Sequence, residues 1–102
     1  MVKARSLIIR YTLPALADLE SILHYIALQS PQGARKVQIR IQESIDVLAL
    51  YPGLGIPTKD PAIRRLTATP YPYLIFYEPL PNEVIIHAIR HGARDPSSMP
   101  GS

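Results

Sequence analysis

Cationic and titratable side chains collect in the C-terminal third of the 102-residue sequence, where they could hold a phosphate or a carboxylate. Arg90, His91 and Arg94 stand close together, and Arg64 and Arg65 lie in an earlier segment. Guanidinium groups bind anionic oxygens through paired N–H groups, and histidine exchanges a proton near neutral pH. We expect the turns of the chain to bring these five side chains together on one surface.

Such a set could cleave RNA without a metal. The reaction needs a base for the 2′-hydroxyl, cations for the crowded phosphate and an acid for the leaving oxygen. His91 is the candidate base or acid, and Tyr71 or Tyr73 could stack on a nucleobase or donate a proton. The candidate phosphate contacts are Arg64, Arg65, Arg90 and Arg94.

A structural role for the same residues is the alternative. His91 and Arg94 flank Gly92, and they could tie the C-terminal turn to the sheet through Asp95. Tyrosines at alternate positions of a strand are more typical of sheet packing than of base stacking. Both interpretations stay open at this point.

The remaining histidines do not extend the set. His87 lies in an apolar strand with Ile85 and Ile89, which predicts a half-buried side chain with a hydrogen-bond partner. His24 has no partner at metal-ligand spacing, and the sequence contains no cysteine. We therefore predict neither a metal site nor a cofactor.

Composition limits the class of protein. An apolar fraction of 47% can supply one core, so we predict a single domain over residues 1–96 and a flexible C-terminal tail over 97–102. The formal charge of +3 is too small to indicate a partner by itself. The lack of cysteine and of an apolar run of about 18 residues favours a cytoplasmic protein without a membrane partner.

Two amphipathic helices should precede the strands. Apolar residues at three- and four-residue steps predict the first helix from Pro14 to Leu28, with Thr12 as its cap. A second begins at Ser30-Pro31 and stops at Pro52. Helices joined by so short a turn run antiparallel and form an αα-hairpin.

The strands should form a small sheet beneath this hairpin. Branched and aromatic runs predict strands over 7–11, 63–68, 73–77 and 84–89, whereas the prolines and glycines of 52–61 indicate a loop. Alternation along 63–68 places Arg64 and Arg65 on opposite faces, so one of them should be exposed. We predict an α+β fold of order β-α-α-β-β-β, with the αα-hairpin packed on a mainly antiparallel sheet.

Five segments in this order resemble the RelE/ParE superfamily of type II toxins. They cover nearly the whole chain, and the sequence is most similar to ParE-like members in its Tyr-Pro-Tyr strand and its Arg-His-Gly-Ala-Arg-Asp-Pro ending. The segments are Ala15-x-x-Asp18-Leu19-x-x-Ile22-x-x-Tyr25-Ile26, Leu48-x-x-x-Pro52-x-x-Gly55, Arg64-Arg65-Leu66, Tyr71 to Tyr77 and Arg90 to Pro96.

The resemblance implies a toxin neutralised by a cognate antitoxin, in a toxin–antitoxin hetero-oligomer of the kind used in plasmid stabilisation. ParE-like members are implied to inhibit DNA gyrase by protein contact without being enzymes, and RelE-like members to cut mRNA on the ribosome. The lysines, Lys3, Lys36 and Lys59, all lie outside the predicted sheet, which favours the gyrase inhibitor. The ribosome-dependent endoribonuclease is the alternative, and a degenerate toxin that only binds its antitoxin is a third.

For the favoured interpretation, the sensitive surface comprises residues of the predicted strand 63–68, of the turn before 73–77 and of the segment after 84–89. They are Arg64, Arg65, Tyr71, Arg90, His91 and Arg94.

Overall fold

A computed structural model describes residues 6–93 and residue 100 of the chain. It contains two helices and five strands. In chain order they are β1 (Ile8–Tyr11), α1 (Leu13–Ala27), α2 (Pro31–Leu50), β2 (Ile56–Pro57), β3 (Arg64–Thr67), β4 (Tyr73–Pro79) and β5 (Glu83–His91).

Both helices begin at the caps that the sequence predicts. The Thr12 side chain accepts a hydrogen bond from the Ala15 N–H at 3.1 Å, and the Ser30 side chain accepts one from the Gly33 N–H at 2.9 Å. A proline follows each cap in the first turn, where its missing N–H costs no helical hydrogen bond. The predicted αα-hairpin is confirmed, with α1 ending one residue earlier than expected.

The five strands form one mixed sheet in the order β1-β5-β4-β3-β2. β1 runs parallel to β5, with Ile9 opposite Val84, and the remaining neighbours are antiparallel. The α+β class and the mainly antiparallel sheet are therefore confirmed. Because β5 lies between β1 and β4, it joins the N-terminal strand to the rest of the sheet.

The main core lies between the sheet and the helices. α2 contributes a buried stripe of Val37, Ile41, Ile45 and Leu48, which meets Ile75, Tyr77, Ile86 and Ile89 from the sheet. A smaller cluster of Ile63, Phe76 and Ala88, with Leu74 packed against it, is separate from this core. β4 alternates between the two clusters from Leu74 to Tyr77, as the pleat requires. In β5 a bulge opposite Phe76 and Tyr77 interrupts the alternation, so that Ile86 and Ala88 lie in different clusters.

Two strand predictions need correction. Residues 52–61 were expected to be a loop, but Ile56–Pro57 pairs with Arg64 and Arg65 of β3. Two residues are too short to show alternation, and a sheet edge tolerates a proline that cannot donate. β5 also continues past Ile89 to His91, because Tyr73 at the start of β4 lies opposite His91.

Residues 94–99 lie outside the described part of the chain. The predicted boundary at residue 96 and the predicted tail therefore stay predictions. None of the described helices is long and apolar enough to cross a membrane.

Candidate functional site

A cavity of about 470 Å³ opens between α1 and the C-terminal half of β5. Its wall combines an ion pair, two tyrosines and a histidine with aliphatic side chains. The lining residues are Asp18, Ser21, Ile22, Tyr25, Tyr73, Ile89, Arg90, His91 and Ala93.

The cavity exists because β1 covers only the first half of β5. β1 pairs with Glu83 to Ile86, and beyond that point α1 takes over the open edge of the strand. Thr12 donates from its backbone N–H to Ile86 O at 3.1 Å and from its hydroxyl to His87 O at 3.2 Å. Nearly two turns further along α1, Asp18 Oδ2 accepts a hydrogen bond from the Ile89 N–H at 3.0 Å.

Asp18 also neutralises the cation at the floor of the cavity. Its Oδ1 lies 2.5 Å from Arg90 Nη1, and the two side chains are 17% and 23% exposed. Arg90 Nε is buried and has no hydrogen-bond partner among the described residues. The guanidinium group is thus held by one carboxylate and retains an unused N–H.

His91 stands at the mouth of the cavity and is exposed. Its ring packs edge-on against Tyr73, with centroids 5.4 Å apart and planes at 90°. Its Nδ1 accepts a hydrogen bond from the Ala93 N–H at 3.0 Å, so the proton of the neutral ring sits on Nε2. In this geometry the free nitrogen of neutral His91 can donate but cannot accept.

Tyr73 is held in its protonated form. Burial raises the pKa of its phenol, and the nearby Tyr25 hydroxyl raises it further. An ordinary phenol is already protonated at neutral pH, so the raised pKa extends to more alkaline pH the range in which the Tyr73 hydroxyl can donate a hydrogen bond.

Arg64 and Arg65 do not join Arg90 and His91, so the expected convergence of all these side chains is wrong. Arg64 lies opposite Tyr77, three positions along β4 from the Leu74 that pairs with Arg90, or about 10 Å along the strand. Strand β4 also separates β3 from β5. The register of a meander depends on turn lengths and bulges, which the sequence pattern alone did not fix.

Arg64 instead binds the loop that follows α2. Its Nε donates to Gly55 O at 2.9 Å, and its Nη2 donates to Gly53 O at 3.2 Å. Arg65 lies opposite Ile56 on one side and Phe76 on the other. Both arginines are half-buried, so neither is the exposed member that alternation suggested.

The other predicted site residues are distributed differently. Tyr71 is half-buried against the main core and does not line the cavity. Arg94 lies outside the described residues. The predicted half-buried role of His87 is confirmed, because its Nε2 lies 2.9 Å from Glu78 Oε1.

Sequence reasoning missed the contribution of α1 to the cavity. Asp18, Ile22 and Tyr25 follow one another at helical spacing, and the resemblance to known toxins had already drawn attention to them as a pattern. A carboxylate beside the apolar stripe of Ala15 and Leu19 needs a partner when the helix packs. That signal could have predicted the pair with Arg90, because Arg90 follows the last apolar residues of β5.

Among the described residues, no group of three metal-ligating side chains comes together. What the cavity offers is a mixed surface: an apolar wall, donor hydroxyl and imidazole groups, and a guanidinium that already carries a carboxylate. Such a wall suits the side chains of another protein.

Comparisons with known proteins all find toxins or a toxin–antitoxin system. Residues 9–96 match the family described as ParE toxin of type II toxin-antitoxin system, parDE. The chain is 39% identical over 84 residues to toxin RelE2 of Caulobacter vibrioides, a match covering 82% of this chain and 93% of the relative. It is 37% identical over 83 residues to Y4kP of Sinorhizobium fredii, a candidate toxin, covering 81% and 85% respectively.

A solved structure shows the same fold. A chain of the chromosomal ParDE toxin–antitoxin system from P. aeruginosa superposes with a TM-score of 0.73 at 29% identity, covering 84% of this chain and 96% of that one. The helical hairpin, the mixed sheet and the family match lead to one conclusion: the chain belongs to the ParE family of type II toxin–antitoxin toxins.

Proposed function

We propose that this toxin inhibits DNA gyrase by protein contact in the cytoplasm and is neutralised by a cognate antitoxin. The observation that carries the proposal is the Asp18–Arg90 pair. A carboxylate of the chain itself occupies the cation that a nuclease would use for a phosphate. Within the described residues, the cavity therefore supports binding better than phosphate chemistry.

The state of His91 supports the same proposal. Its Nδ1 is already bound by the Ala93 N–H, and Arg64 and Arg65 lie beyond β4. A ribonuclease site would need an imidazole free to take a proton and several cations around one phosphate. The described residues do not bring these together.

Neutralisation by an antitoxin is supported by the shape of the cavity. The groove is open to solvent and has Ile22, Tyr25 and Tyr73 on its wall. An amphipathic segment that folds on binding could insert apolar side chains there. Its polar groups could meet His91, which is exposed at the mouth of the cavity.

The second candidate is a ribosome-dependent mRNA endoribonuclease. One observation favours it: His91 is exposed and stands beside the protonated Tyr73 at an open cavity. In such an enzyme His91 and Tyr73 would exchange protons with RNA, and Arg65 and Arg94 would contact phosphate.

Induction of the chain in a bacterial host distinguishes the candidates. A gyrase inhibitor causes DNA breaks and the SOS response, and the purified chain blocks supercoiling by purified gyrase. A nuclease leaves cleaved mRNA within translated codons. A chain that only binds its antitoxin leaves growth unchanged.

The His91→Ala variant sharpens this test. If the proposed function holds, mRNA stays intact with both the unmodified chain and the variant, and the variant still induces at least part of the SOS response. If the chain is a nuclease, the unmodified chain cleaves mRNA and the variant does not. His24→Ala, which changes an exposed histidine on α1, is the matched control. Cleaved mRNA without SOS induction by the unmodified chain would refute the proposal.

A further inference from the structure

Helix α2 presents an outward face that no described element covers. Its members recur alternately four and three residues apart, which places them on one side of the helix, and all of them are exposed. The opposite side of α2 is the buried stripe of the core. The face comprises Gln32, Lys36, Ile39, Glu43, Asp46 and Leu50.

Charge is divided along this face in an unusual order. The cation Lys36 lies in the N-terminal half, and the anions Glu43 and Asp46 lie in the C-terminal half. The first turn of α2 carries no acid and the last turn carries no base. This order is the reverse of the one that the helix dipole favours, so an isolated α2 is destabilised by its own charges.

The charges on this face are incompletely paired within the chain. Among residues 6–93, Lys36 has no salt bridge, and it has no acid three or four residues away on the helix. Glu43 lies 3.7 Å from Arg40 but its side chain stays 61% exposed. Asp46 accepts one hydrogen bond, from Gln42 at 3.0 Å.

Apolar side chains lie between and beside the charges. Ile39 is 53% exposed, Leu50 is 47% exposed and Val47 is 38% exposed. These aliphatic groups offer apolar surface to a second helix, and the charges beside them can set the choice of partner and its direction.

We propose that the outward face of α2 is a homodimer interface, in which a second copy of the chain packs its α2 antiparallel to the first. A two-fold axis at the level of Ile41 places Lys36 of each copy opposite Asp46 of the other. The same axis sets Ile39 against the methylene groups of Glu43, and Leu50 against Gln32. The two-fold axis thus forms two Lys36–Asp46 pairs of opposite charge, one on each side of the axis.

Two alternative arrangements of the helices are disfavoured by the same charges. A parallel pair sets Lys36 against Lys36 and Asp46 against Asp46. An antiparallel pair shifted by seven residues sets Glu43 against Asp46, which repel each other. The antiparallel pair centred on Ile41 also brings the N-terminus of each helix beside the C-terminus of the other, which offsets both dipoles.

A second copy fits this face better than a partner of other chemistry. The face is complementary to itself, so the chain supplies a matching surface without any further requirement. The cavity between α1 and β5 contains no residue of α2, so it stays open in the dimer. The proposed interface therefore shares no residue with the cavity.

Charge swaps test the interface on the purified full-length chain. Sedimentation or light scattering over a concentration series should give a dimer for the unmodified chain. Lys36→Glu and Asp46→Lys should each raise the dissociation constant about tenfold or more, because each converts two attractions into two repulsions. The double variant Lys36→Glu/Asp46→Lys should restore the dimer, since both pairs are again of opposite sign.

Lys59→Glu is the control, because it makes the same charge change on an exposed loop residue away from α2. It should leave the dissociation constant unchanged. Circular dichroism of each variant verifies that the fold is kept. A chain that is monomeric at all concentrations would overturn the proposal. So would a dissociation constant that is unchanged in the single variants, or a double variant that does not form the dimer again.

Discussion

At the scale of single residues, Tyr77 and Gly55 account for the loop between α2 and β3. The buried Tyr77 hydroxyl donates to Pro52 O at 2.7 Å and accepts from the Gly55 N–H at 2.8 Å. The sequence pattern indicates only ordinary strand packing for this tyrosine, but its hydroxyl holds a distant loop in place through two hydrogen bonds. The Arg64 guanidinium group donates a hydrogen bond to the same loop.

Removal of the Tyr77 hydroxyl should destabilise the fold. Tyr77→Phe leaves a buried N–H and a carbonyl without their partner, and we expect a loss of about 1–3 kcal/mol in the free energy of unfolding. Urea denaturation followed by circular dichroism measures it. Tyr51→Phe, at a side chain that is 64% exposed, is the control and should change stability by less.

Gly55 is required by close packing. A Cβ at this position would lie 2.7 Å from Arg65 O and 2.7 Å from the Tyr77 hydroxyl oxygen, whereas a Cβ at Gly53 would meet nothing within 4 Å. Gly55→Ala should therefore cost about 1–3 kcal/mol of unfolding free energy, and Gly53→Ala should be nearly neutral. Equal thermal midpoints for the two variants would contradict this account.

At the scale of elements, the carboxylate of Asp18 joins α1 to β5. It accepts the Ile89 N–H that β1 is too short to reach and neutralises Arg90. Asp18→Asn keeps the shape but leaves the Arg90 charge without its partner, and we expect a loss of about 2–3 kcal/mol. Glu20→Gln, at an exposed position on the same helix, is the control for the change in charge.

Amide hydrogen exchange gives a second test of Asp18, because it reports on the contact between α1 and β5. Amide exchange at Ile89 should quicken in Asp18→Asn, since the link between α1 and the strand edge is weakened. Unchanged exchange together with unchanged stability would show that α1 is held by its apolar contacts alone.

The helices and the class of fold could be predicted from the sequence because their signals are local. Thr12 and Ser30 cap the helices, and the apolar stripe of α2 repeats at helical spacing. The site could be predicted only in part. Arg90 and His91 do lie together, but the places of Arg64 and Asp18 depend on strand register and on how far β1 extends. Strand register and the length of β1 are determined when the whole sheet assembles, and no short sequence pattern indicates them.

At the scale of the whole molecule, stability should fall at alkaline pH. Burial is the main cause that raises the pKa values of Tyr11, Tyr73 and Tyr77 in the folded chain. The unfolded chain releases these protons near pH 10, before the folded chain does, so the stabilisation is complete below about pH 10 and is lost above it.

The alkaline effect can be assigned by substitution. The free energy of unfolding is measured by urea denaturation at a series of pH values from pH 8 upward. It should decline as the pH rises, and the decline should be less steep for Tyr77→Phe than for the unmodified chain. Tyr51→Phe should leave the slope unchanged. An identical slope in both variants would show that Tyr77 does not contribute to the alkaline loss.

The central place of β5 has a consequence for synthesis. Translation delivers β5 after every other strand, yet this strand alone bridges β1 to β4 and carries the floor of the cavity. A nascent chain that ends at β4 holds a helical hairpin beside an unfinished sheet, with no groove for any partner. On the proposed function, the surface that binds the antitoxin therefore forms only when β5 is added to the sheet.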